Sequence, residues 1–283
     1  MDVQLSSLKV KSIKLYIVSM TEPKADIAII GGTGVYDPEI IDNAERVKIH
    51  TPYGSPSATV TLGDYGETKI AFIPRHGDGH VIPPHKIPFQ ANIWALMKLG
   101  VKRIVASSAV GSLRMDYEPG HFVLTDQFID RTRKRSDTFY EGGQICHISA
   151  ADPLCPELRK VFGDYADKLG LVNHKEGTYV CIEGPRFSTR AESNMFRQWG
   201  CDIIGMTMYP EVILAREAQI CYVSVAMVTD YDVWAEKPVS AAEVMETMEK
   251  NGENFKRLIM GAIPTIPSER HCGCGSALTG ALY

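Results

Sequence analysis

The sequence predicts a single-domain, three-layer α/β/α fold in which a mixed central sheet is flanked by helices. Residues 221–228 are almost wholly apolar, β-branched or aromatic, which is typical of a strand buried on both faces of a sheet. Segments with strand patterns and segments with helix patterns then alternate along the chain, as expected for an α/β protein. The 283 residues contain no repeat, low-complexity tract or linker, so we expect one domain, over residues 21–267.

The composition argues against two classes of partner. The chain carries 30 basic and 34 acidic residues, for a net charge of −4, without a basic block, so we expect no nucleic acid. Its hydrophobic (45%) and charged (23%) fractions are ordinary for a soluble enzyme. No apolar run approaches the roughly 18 residues of a membrane span, so we expect no membrane partner.

Residues 1–20 are interpreted as an N-terminal extension. They lack a positive n-region, and lysines interrupt any apolar core, so they make a poor signal peptide. Met20 followed by Thr-Glu-Pro-Lys resembles a second start, which raises the question of whether residues 1–20 are native. We expect a cytoplasmic protein.

The seven cysteines are scattered without CxxC spacing, so the sequence predicts no zinc site and, outside the tail, reduced thiols. Residues 268–283 form a separate C-terminal tail with Cys272-Gly273-Cys274. Two interpretations of this motif remain open. It is either a flexible, thiol-bearing end or a strained Cys-x-Cys disulfide, of a kind that intracellular proteins of hyperthermophiles could keep.

The first strand, residues 25–30, runs into Gly31-Gly32-Thr33-Gly34. Glycine lets backbone N–H groups approach an anion closely, and the Thr33 hydroxyl adds a donor. A dinucleotide fingerprint would need glycine at the sixth position counted from Gly32, where Asp37 stands, and Asp37-Pro38 breaks any following helix. A nicotinamide cofactor is disfavoured, and a phosphate-like ligand stays open.

Three strand-like runs follow, at residues 47–50, 58–62 and 69–73, and their short spacing predicts antiparallel pairing. The loop after them contains Arg75, which follows the third of these runs and precedes the glycines of that loop. An arginine in such a position is typical of a side chain that binds an oxyanion through two hydrogen bonds. A solvated turn is the alternative. Further along, we expect helices at residues 90–99, 156–169, 189–199, 211–219 and 241–263, and strands at 103–106, 121–129, 175–182, 202–205 and 221–228.

The predicted strands end in loops with complementary chemistry. Glycine N–H groups, the hydroxyls after residue 106 and Arg75 suit a phosphate dianion, while Phe187 offers a face to a flat ring. Asp230 and Asp232 follow a buried strand, where open α/β sheets place ligand-handling groups, although an Asx-rich turn has the same composition. Together these loops indicate a site for a small nucleoside, with phosphate on one side and the purine on the other.

Six ordered motifs resemble the 5'-methylthioadenosine phosphorylases of the purine nucleoside phosphorylase superfamily, over about residues 27–266. They are Gly31-Gly32-Thr33-Gly34, Pro74-Arg75-His76-Gly77, residues 90–96 (Gln-Ala-Asn-Ile-Trp-Ala-Leu), residues 126–132 (Asp-Gln-Phe-Ile-Asp-Arg-Thr), residues 183–188 (Glu-Gly-Pro-Arg-Phe-Ser) and Thr229-Asp230-Tyr231-Asp232. The resemblance implies the nucleoside phosphorylase fold, with a partly barrel-like sheet. Thermophile members of this branch carry a similar Cys-x-Cys end.

The resemblance also implies roles for individual residues. The phosphate site would comprise Thr33, Arg75, His76, Ser108, Ala109 and Thr207. The nucleoside would meet Met206 along the ribose, Phe187 on the base, and Asp230, Tyr231 and Asp232 at the base edge. Ser188 and Ala241 fall where the family tunes specificity, and Ala241, Val244 and Met245 would border the 5'-methylthio group.

The implied reaction is reversible phosphorolysis of 5'-methylthioadenosine to adenine and 5-methylthioribose-1-phosphate, without a cofactor or metal and with phosphate as co-substrate. Asp230 is the predicted general acid for purine N7. Three alternatives stay open: a broader phosphorylase acting on adenosine or 6-oxopurine nucleosides, a nucleoside hydrolase, and a non-catalytic purine sensor. The family closes its sites with a neighbouring subunit, which implies a homotrimer, or a homohexamer built as a dimer of trimers.

Overall fold

The structure is a computed structural model that describes residues 25–31, 41–236 and 239–283. The predicted extension over residues 1–20 and most of the glycine loop, with Thr33, lie outside the described residues. None of the helices in the described ranges is long and apolar enough to cross a membrane.

Strands and helices alternate through most of the described chain. The strands are β1 Ile27–Gly31, β2 Asp42–Val47, β3 Val60–Tyr65, β4 Thr68–Pro74, β5 Arg103–Ser112, β6 Phe122–Leu124, β7 Gln127–Arg131, β8 Asn173–His174, β9 Thr178–Ile182, β10 Ile203–Gly205 and β11 Cys221–Asp230. The helices are α1 Phe89–Lys98, α2 Pro156–Lys168, α3 Arg190–Gln198, α4 Met208–Glu217 and α5 Ala241–Ala262.

All of these strands belong to one mixed sheet that branches at β5. The main path has the strand order β2-β3-β4-β1-β5-β10-β9-β7. A branch starts at β5, where β11 pairs with β5, β6 pairs with β11, and β8 pairs with β6. Strand β5 pairs with β1 through its first four residues, with β10 at Gly111 and Ser112, and with β11 along almost its whole length. The sheet thus combines parallel and antiparallel pairs, as the sequence predicts.

Two hydrophobic cores cover the two faces of the sheet. Alternate residues of β1 face opposite cores, with Ile30 in one and Ile29 in the other. Helices α1 and α4 supply side chains to the first core, whereas α2 and α5 supply Phe162 and Phe255 to the second. Because helices lie on both faces, the predicted three-layer arrangement is confirmed.

Several predicted boundaries are wrong for identifiable reasons. The hydroxyl-rich segment after residue 106 is the second half of β5, because β11 pairs with it as far as Gly111 and β10 pairs with Gly111 and Ser112. The strand predicted at residues 121–129 is two strands, β6 and β7, separated by Thr125 and Asp126. Thr189 does cap α3, and Glu192 completes a reciprocal capping box.

Residues 268–283 pack against the rest of the fold. Arg270 donates to the carbonyl of Gln219, and His147 N–H donates to the carbonyl of Ala281. Residues 145 and 283 exchange both of their backbone hydrogen bonds. Cys274 is buried, so a flexible, thiol-bearing end does not describe this tail.

Candidate active site

A cavity of about 430 Å³ opens where β4, β5, β9, β10 and β11 come together. Most of the predicted site residues line it: Arg75, His76, Ser108, Ala109, Phe187, Met206, Thr207, Asp230, Asp232, Ala241, Val244 and Met245. Two predicted residues do not line it. Ser188 is buried beside the cavity, and the Tyr231 hydroxyl donates instead to the carbonyl of Met115, at 3.4 Å.

Arg75 is fixed by a residue that the sequence analysis missed. Glu211, on α4, accepts hydrogen bonds of 2.8 Å from Nε and from Nη2 of Arg75, and both side chains are buried. Tyr222 donates its hydroxyl to the same carboxylate, and Nη1 of Arg75 donates to the carbonyl of Ser107 at 2.7 Å. The signal in the sequence is an acidic residue directly before the apolar run Val212-Ile213-Leu214.

This pairing changes how Arg75 can bind an anion. The planar Nε–Nη2 edge binds Glu211, so that edge is not available for a bidentate pair with phosphate. Burial lowers the pKa of Arg75, but the ion pair with Glu211 outweighs it and raises the pKa above its ordinary value. A charged guanidinium remains, with Nη1 still able to donate one further hydrogen bond towards the cavity.

His76 lies next to Arg75 as an uncharged ring. Burial lowers the pKa of His76 to about 4, and the nearby charge of Arg75 works in the same direction. Nδ1 is 2.8 Å from the carbonyl of Ile82, which can only accept, so Nδ1 carries the proton and Nε2 can accept a hydrogen bond. The ring stacks on His80, which also lines the cavity.

The other end of the cavity holds two buried carboxyl groups. Oδ1 of Asp230 accepts the backbone N–H of Asp232 at 2.7 Å, and Oδ2 lies 2.7 Å from the Thr229 hydroxyl. Burial raises the pKa of Asp230, and the charge of Asp232 adds to that rise, against the lowering effect of these two hydrogen bonds. Burial also raises the pKa of Asp232, against the lowering effect of the nearby Ser193 hydroxyl and Val233 N–H, and Oδ2 itself makes no hydrogen bond within the described residues.

Two glycines make room for this arrangement. A Cβ at Gly111 would lie 2.9 Å from Oδ1 of Asp230 and 3.3 Å from Cβ of Asp232, so a side chain there would push the carboxyl groups away. Gly184 has a φ of +67°, and a Cβ there would lie 2.6 Å from Sδ of Met206. Met206 can line the cavity because position 184 carries no side chain.

The wall opposite the sheet is apolar and open. It comes from the first turns of α5, where Ala241, Val244, Met245 and Met248 line the cavity. Met245 is 52% exposed and Phe187 is 38% exposed, so the entrance presents two large apolar side chains to solvent. Sequence reasoning missed Met248, which the helical spacing from Val244 and Met245 could have indicated.

Away from this cavity, four thiols converge between the tail and the sheet. The Sγ atoms of Cys155, Cys221, Cys272 and Cys274 all lie within 4.8 Å of one another, and those of Cys221 and Cys272 are 3.4 Å apart. Four thiolates at such distances could hold a soft metal ion, or pair as disulfides. The cluster does not touch the cavity.

The fold and the site define a class of protein. The profile of the phosphorylase superfamily matches residues 26–264, and the chain belongs to that superfamily. The S-methyl-5'-thioadenosine phosphorylase of Thermofilum pendens is 59% identical over 259 residues, which are 92% of this chain and 99% of that one. The corresponding protein of Nitrosopumilus maritimus is 56% identical, over 93% of this chain and all of its own length.

Similar solved structures narrow the family to which this chain belongs. A methylthioadenosine phosphorylase from an antarctic soil metagenomic library superposes with a TM-score of 0.87 at 46% identity, over 93% of each chain. The methylthioadenosine phosphorylase of Schistosoma mansoni in complex with adenine gives a TM-score of 0.86 at 35% identity, over 91% of this chain and 99% of that one. Within the superfamily, the chain is a member of the S-methyl-5'-thioadenosine phosphorylase family.

Proposed function

We propose that this protein is a pentosyltransferase that cleaves 5'-methylthioadenosine with phosphate, giving adenine and 5-methylthioribose-1-phosphate with inversion at C1'. The observation that carries the proposal is one cavity with a buried arginine at one end and a buried aspartate pair at the other. The relatives named above are called S-methyl-5'-thioadenosine phosphorylases. Release of adenine and the sugar phosphate feeds purine and methionine salvage.

Phosphate is assigned to the end of the cavity near β4 and β5. Nη1 of Arg75 supplies a charged donor there, while Ser108 and Thr207 supply hydroxyls. Neutral His76 can accept a hydrogen bond at Nε2 from the hydroxyl of a monohydrogen phosphate. The buried Oγ of Ser108 has no hydrogen-bond partner in the described residues, as expected of a group that awaits a ligand. Thr33 and Ala109 complete the proposed set.

The purine is assigned to the aspartate end. Cleavage builds positive charge on the ribose and negative charge on the leaving purine, so phosphate below C1' stabilises the sugar while an acid protonates N7. Asp230 is the proposed acid, because burial and the neighbouring Asp232 favour its protonated form. The unpartnered Oδ2 of Asp232 suits the 6-amino group of adenine. Phe187 would stack on the base, and Met206 would lie along the ribose.

The 5' group is assigned to the wall from α5. Val244, Met245 and Met248 offer an apolar surface that suits a methylthio group better than a hydroxyl. Ala241 and Ser188 are the proposed specificity positions, and Tyr231 stays in the proposed substrate set through its backbone next to Asp230. A broader phosphorylase acting on adenosine or 6-oxopurine nucleosides is the second candidate.

The deciding experiment measures adenine release from 5'-methylthioadenosine with and without phosphate, beside adenosine and inosine. Turnover that needs phosphate and favours methylthioadenosine supports the proposal. Undiminished turnover in phosphate-free buffer would make the protein a hydrolase, and faster turnover of inosine would favour the second candidate. Binding of methylthioadenosine without any turnover would identify a sensor.

The remaining assignments concern the whole protein. We infer a homotrimer, doubled to a homohexamer, a cytoplasmic location, and a Cys272–Cys274 disulfide in the tail. Exposed apolar side chains around the cavity support a neighbouring subunit at the entrance. We infer no metal or organic cofactor, with inorganic phosphate as the co-substrate.

A further inference from the structure

Thr229 reaches the cavity through an irregularity in strand β11. In a regular strand, neighbouring side chains point to opposite faces, so Thr229 and Asp230 would not share a site. The pairing of β11 with β5 shifts register between Val228, opposite Val110, and Asp230, opposite Gly111. This bulge places two residues of β11 against one step of β5, and both Thr229 and Asp230 line the cavity.

The Thr229 hydroxyl has two acceptors for a single proton. Oγ1 lies 2.7 Å from Oδ2 of Asp230 and 3.2 Å from the carbonyl oxygen of Val110. It can donate to only one of them at a time. When Asp230 is ionised, the carboxylate is the stronger acceptor, because charged hydrogen bonds are about twice as strong as neutral ones. When Asp230 is protonated, the Val110 carbonyl can take the hydroxyl proton instead.

We propose that Thr229 is a positioning residue whose hydroxyl turns from the Val110 carbonyl to Oδ2 of Asp230 as that carboxyl gives up its proton. The inference rests on the proposed role of Asp230 as general acid. In the transfer, the O–H bond of Asp230 breaks, the N7–H bond of the purine forms, and the negative charge stays on the carboxylate. The O–H bond of Thr229 stays intact and changes only its acceptor.

Such a switch would act where catalysis needs it. A hydrogen bond that strengthens as charge develops lowers the barrier, whereas one of constant strength affects binding alone. The charged groups around Asp230 are otherwise unfavourable to the ion: Asp232 follows it on the same turn, and Glu243 of α5 acts on it from the opposite wall. Within the described residues, two groups donate hydrogen bonds to this carboxyl group: the hydroxyl of Thr229 and the backbone N–H of Asp232.

The test compares variants of the full-length enzyme in methylthioadenosine phosphorolysis. Thr229→Val removes the hydroxyl and keeps the β-branched shape, Thr229→Ala removes it with a smaller side chain, and Thr229→Ser retains it. Thr125→Val is the matched control, since Thr125 is equally buried but lies outside the cavity. For each variant, kcat, both KM values, the pH profile of kcat/KM and the melting temperature are measured.

We expect Thr229→Val and Thr229→Ala to lose about ten- to hundredfold in kcat, the usual worth of a hydrogen bond to a charged group. Without the hydroxyl, Asp230 would ionise less readily. The alkaline limb of the profile, where a required acid loses its proton, should therefore move up by about one pH unit. Thr229→Ser should stay within about threefold of the wild type. A purely structural role would lower the melting temperature and kcat without moving the limb.

The outcomes separate this inference from the proposed function. A wild-type rate in both Thr229→Val and Thr229→Ala, an unmoved limb, or a Thr229→Ser variant as impaired as Thr229→Val would overturn the role of Thr229. If Asp230→Asn also keeps the wild-type rate, the general-acid assignment itself is wrong. If Asp230→Asn is impaired while Thr229→Val is normal, only the inference about Thr229 is lost.

Discussion

Glu211 accepts two hydrogen bonds of 2.8 Å from Arg75, and neither side chain has appreciable contact with solvent. The arginine that the family resemblance assigns to phosphate is therefore already matched by an internal carboxylate. Its charge is balanced before any ligand arrives, and its orientation is fixed by the fold. A pre-oriented donor avoids the cost of ordering a long side chain when phosphate binds.

Glu211→Gln should cost stability and phosphate affinity together. The change leaves a buried arginine without its counter-charge, for which losses of about 3–5 kcal/mol are typical. The KM for phosphate should rise more than the KM for methylthioadenosine, because Arg75 lies at the phosphate end of the cavity. Denaturant unfolding and steady-state kinetics measure the two effects.

Glu217→Gln is the matched control for that variant. Glu217 is buried on the same helix, but its carboxylate is held by neutral donors, the hydroxyl of Thr138 and the N–H of Phe139. We expect a smaller loss of stability and no change in the KM for phosphate. Equal effects of the two substitutions on phosphate use would contradict the role given to Glu211.

Asp230→Asn and Asp232→Asn should separate proton delivery from base selection. Asp230→Asn keeps the shape but cannot supply a proton, so kcat should fall by roughly 10²–10⁴-fold. Asp232→Asn should relax the choice of base towards 6-oxopurines, because the amide offers a donor where the carboxylate only accepts. Kinetics with methylthioadenosine and inosine test both. An Asp230→Asn enzyme within threefold of wild type would remove Asp230 from the role, and no gain with inosine would remove Asp232 from selection.

The raised pKa of Asp230 also makes a prediction about stability. A carboxyl group whose folded-state pKa lies above its unfolded value of 3.8 contributes stability below pH 3.8. That contribution is lost as pH rises through the folded-state pKa. Asp230→Asn removes the titrating group, so the variant should gain stability relative to wild type on going from acid to neutral pH. Melting temperatures across this range check the sign of the effect. A variant whose melting temperature falls relative to wild type towards neutral pH would refute the prediction.

Sequence patterns predicted the fold well because the buried strands and amphipathic helices have clear periodicity. The run from residue 221 is strand β11, and the spacing of apolar residues located α1, α2 and α5 to within about two residues. The hydroxyl-rich segment in β5 was misassigned because Ser107 and Ser108 suit loops, while long-range pairing with β11 decides their conformation.

Sequence motifs identified most of the residues that line the cavity, but they could not predict contacts between elements that are distant in the sequence. Glu211 lies 136 positions from Arg75, and nothing local in the sequence pairs the two. The bulge at Thr229 depends on the register with β5, which no pattern within β11 reveals. Ser188 and Tyr231 stand in matched motifs, yet neither lines the cavity, and the Tyr231 hydroxyl donates to the carbonyl of Met115.

The thiol cluster yields a prediction about the tail. We expect Cys272 and Cys274 to resist alkylation in denaturant until a reductant is added, because a Cys-x-Cys disulfide would remove both thiols. Cys201, which is buried outside the cluster, should label with and without reductant and serves as the internal control. Peptide mass spectrometry identifies the labelled positions. Full labelling before reduction, or a stoichiometric bound zinc ion released by denaturation, would contradict the disulfide.

Assembly should be tied to activity through the open entrance of the cavity. Phe187 and Met245 are exposed at its rim, and Val81, on the loop after Arg75, is 75% exposed. Apolar side chains gathered at a site entrance favour cover by a neighbouring subunit. Turnover should therefore fall in step with dissociation when the enzyme is diluted.

Val81→Glu should move that transition to higher protein concentration, since a charge would be buried in the contact. Val172→Glu is the matched control, because Val172 is 56% exposed and has no cavity residue next to it in the chain, whereas Val81 follows His80, which lines the cavity. Light scattering read beside activity across a dilution series gives both curves. A monomer that turns over at the full rate would show that each chain builds a complete site alone, and the trimer would then have no part in catalysis.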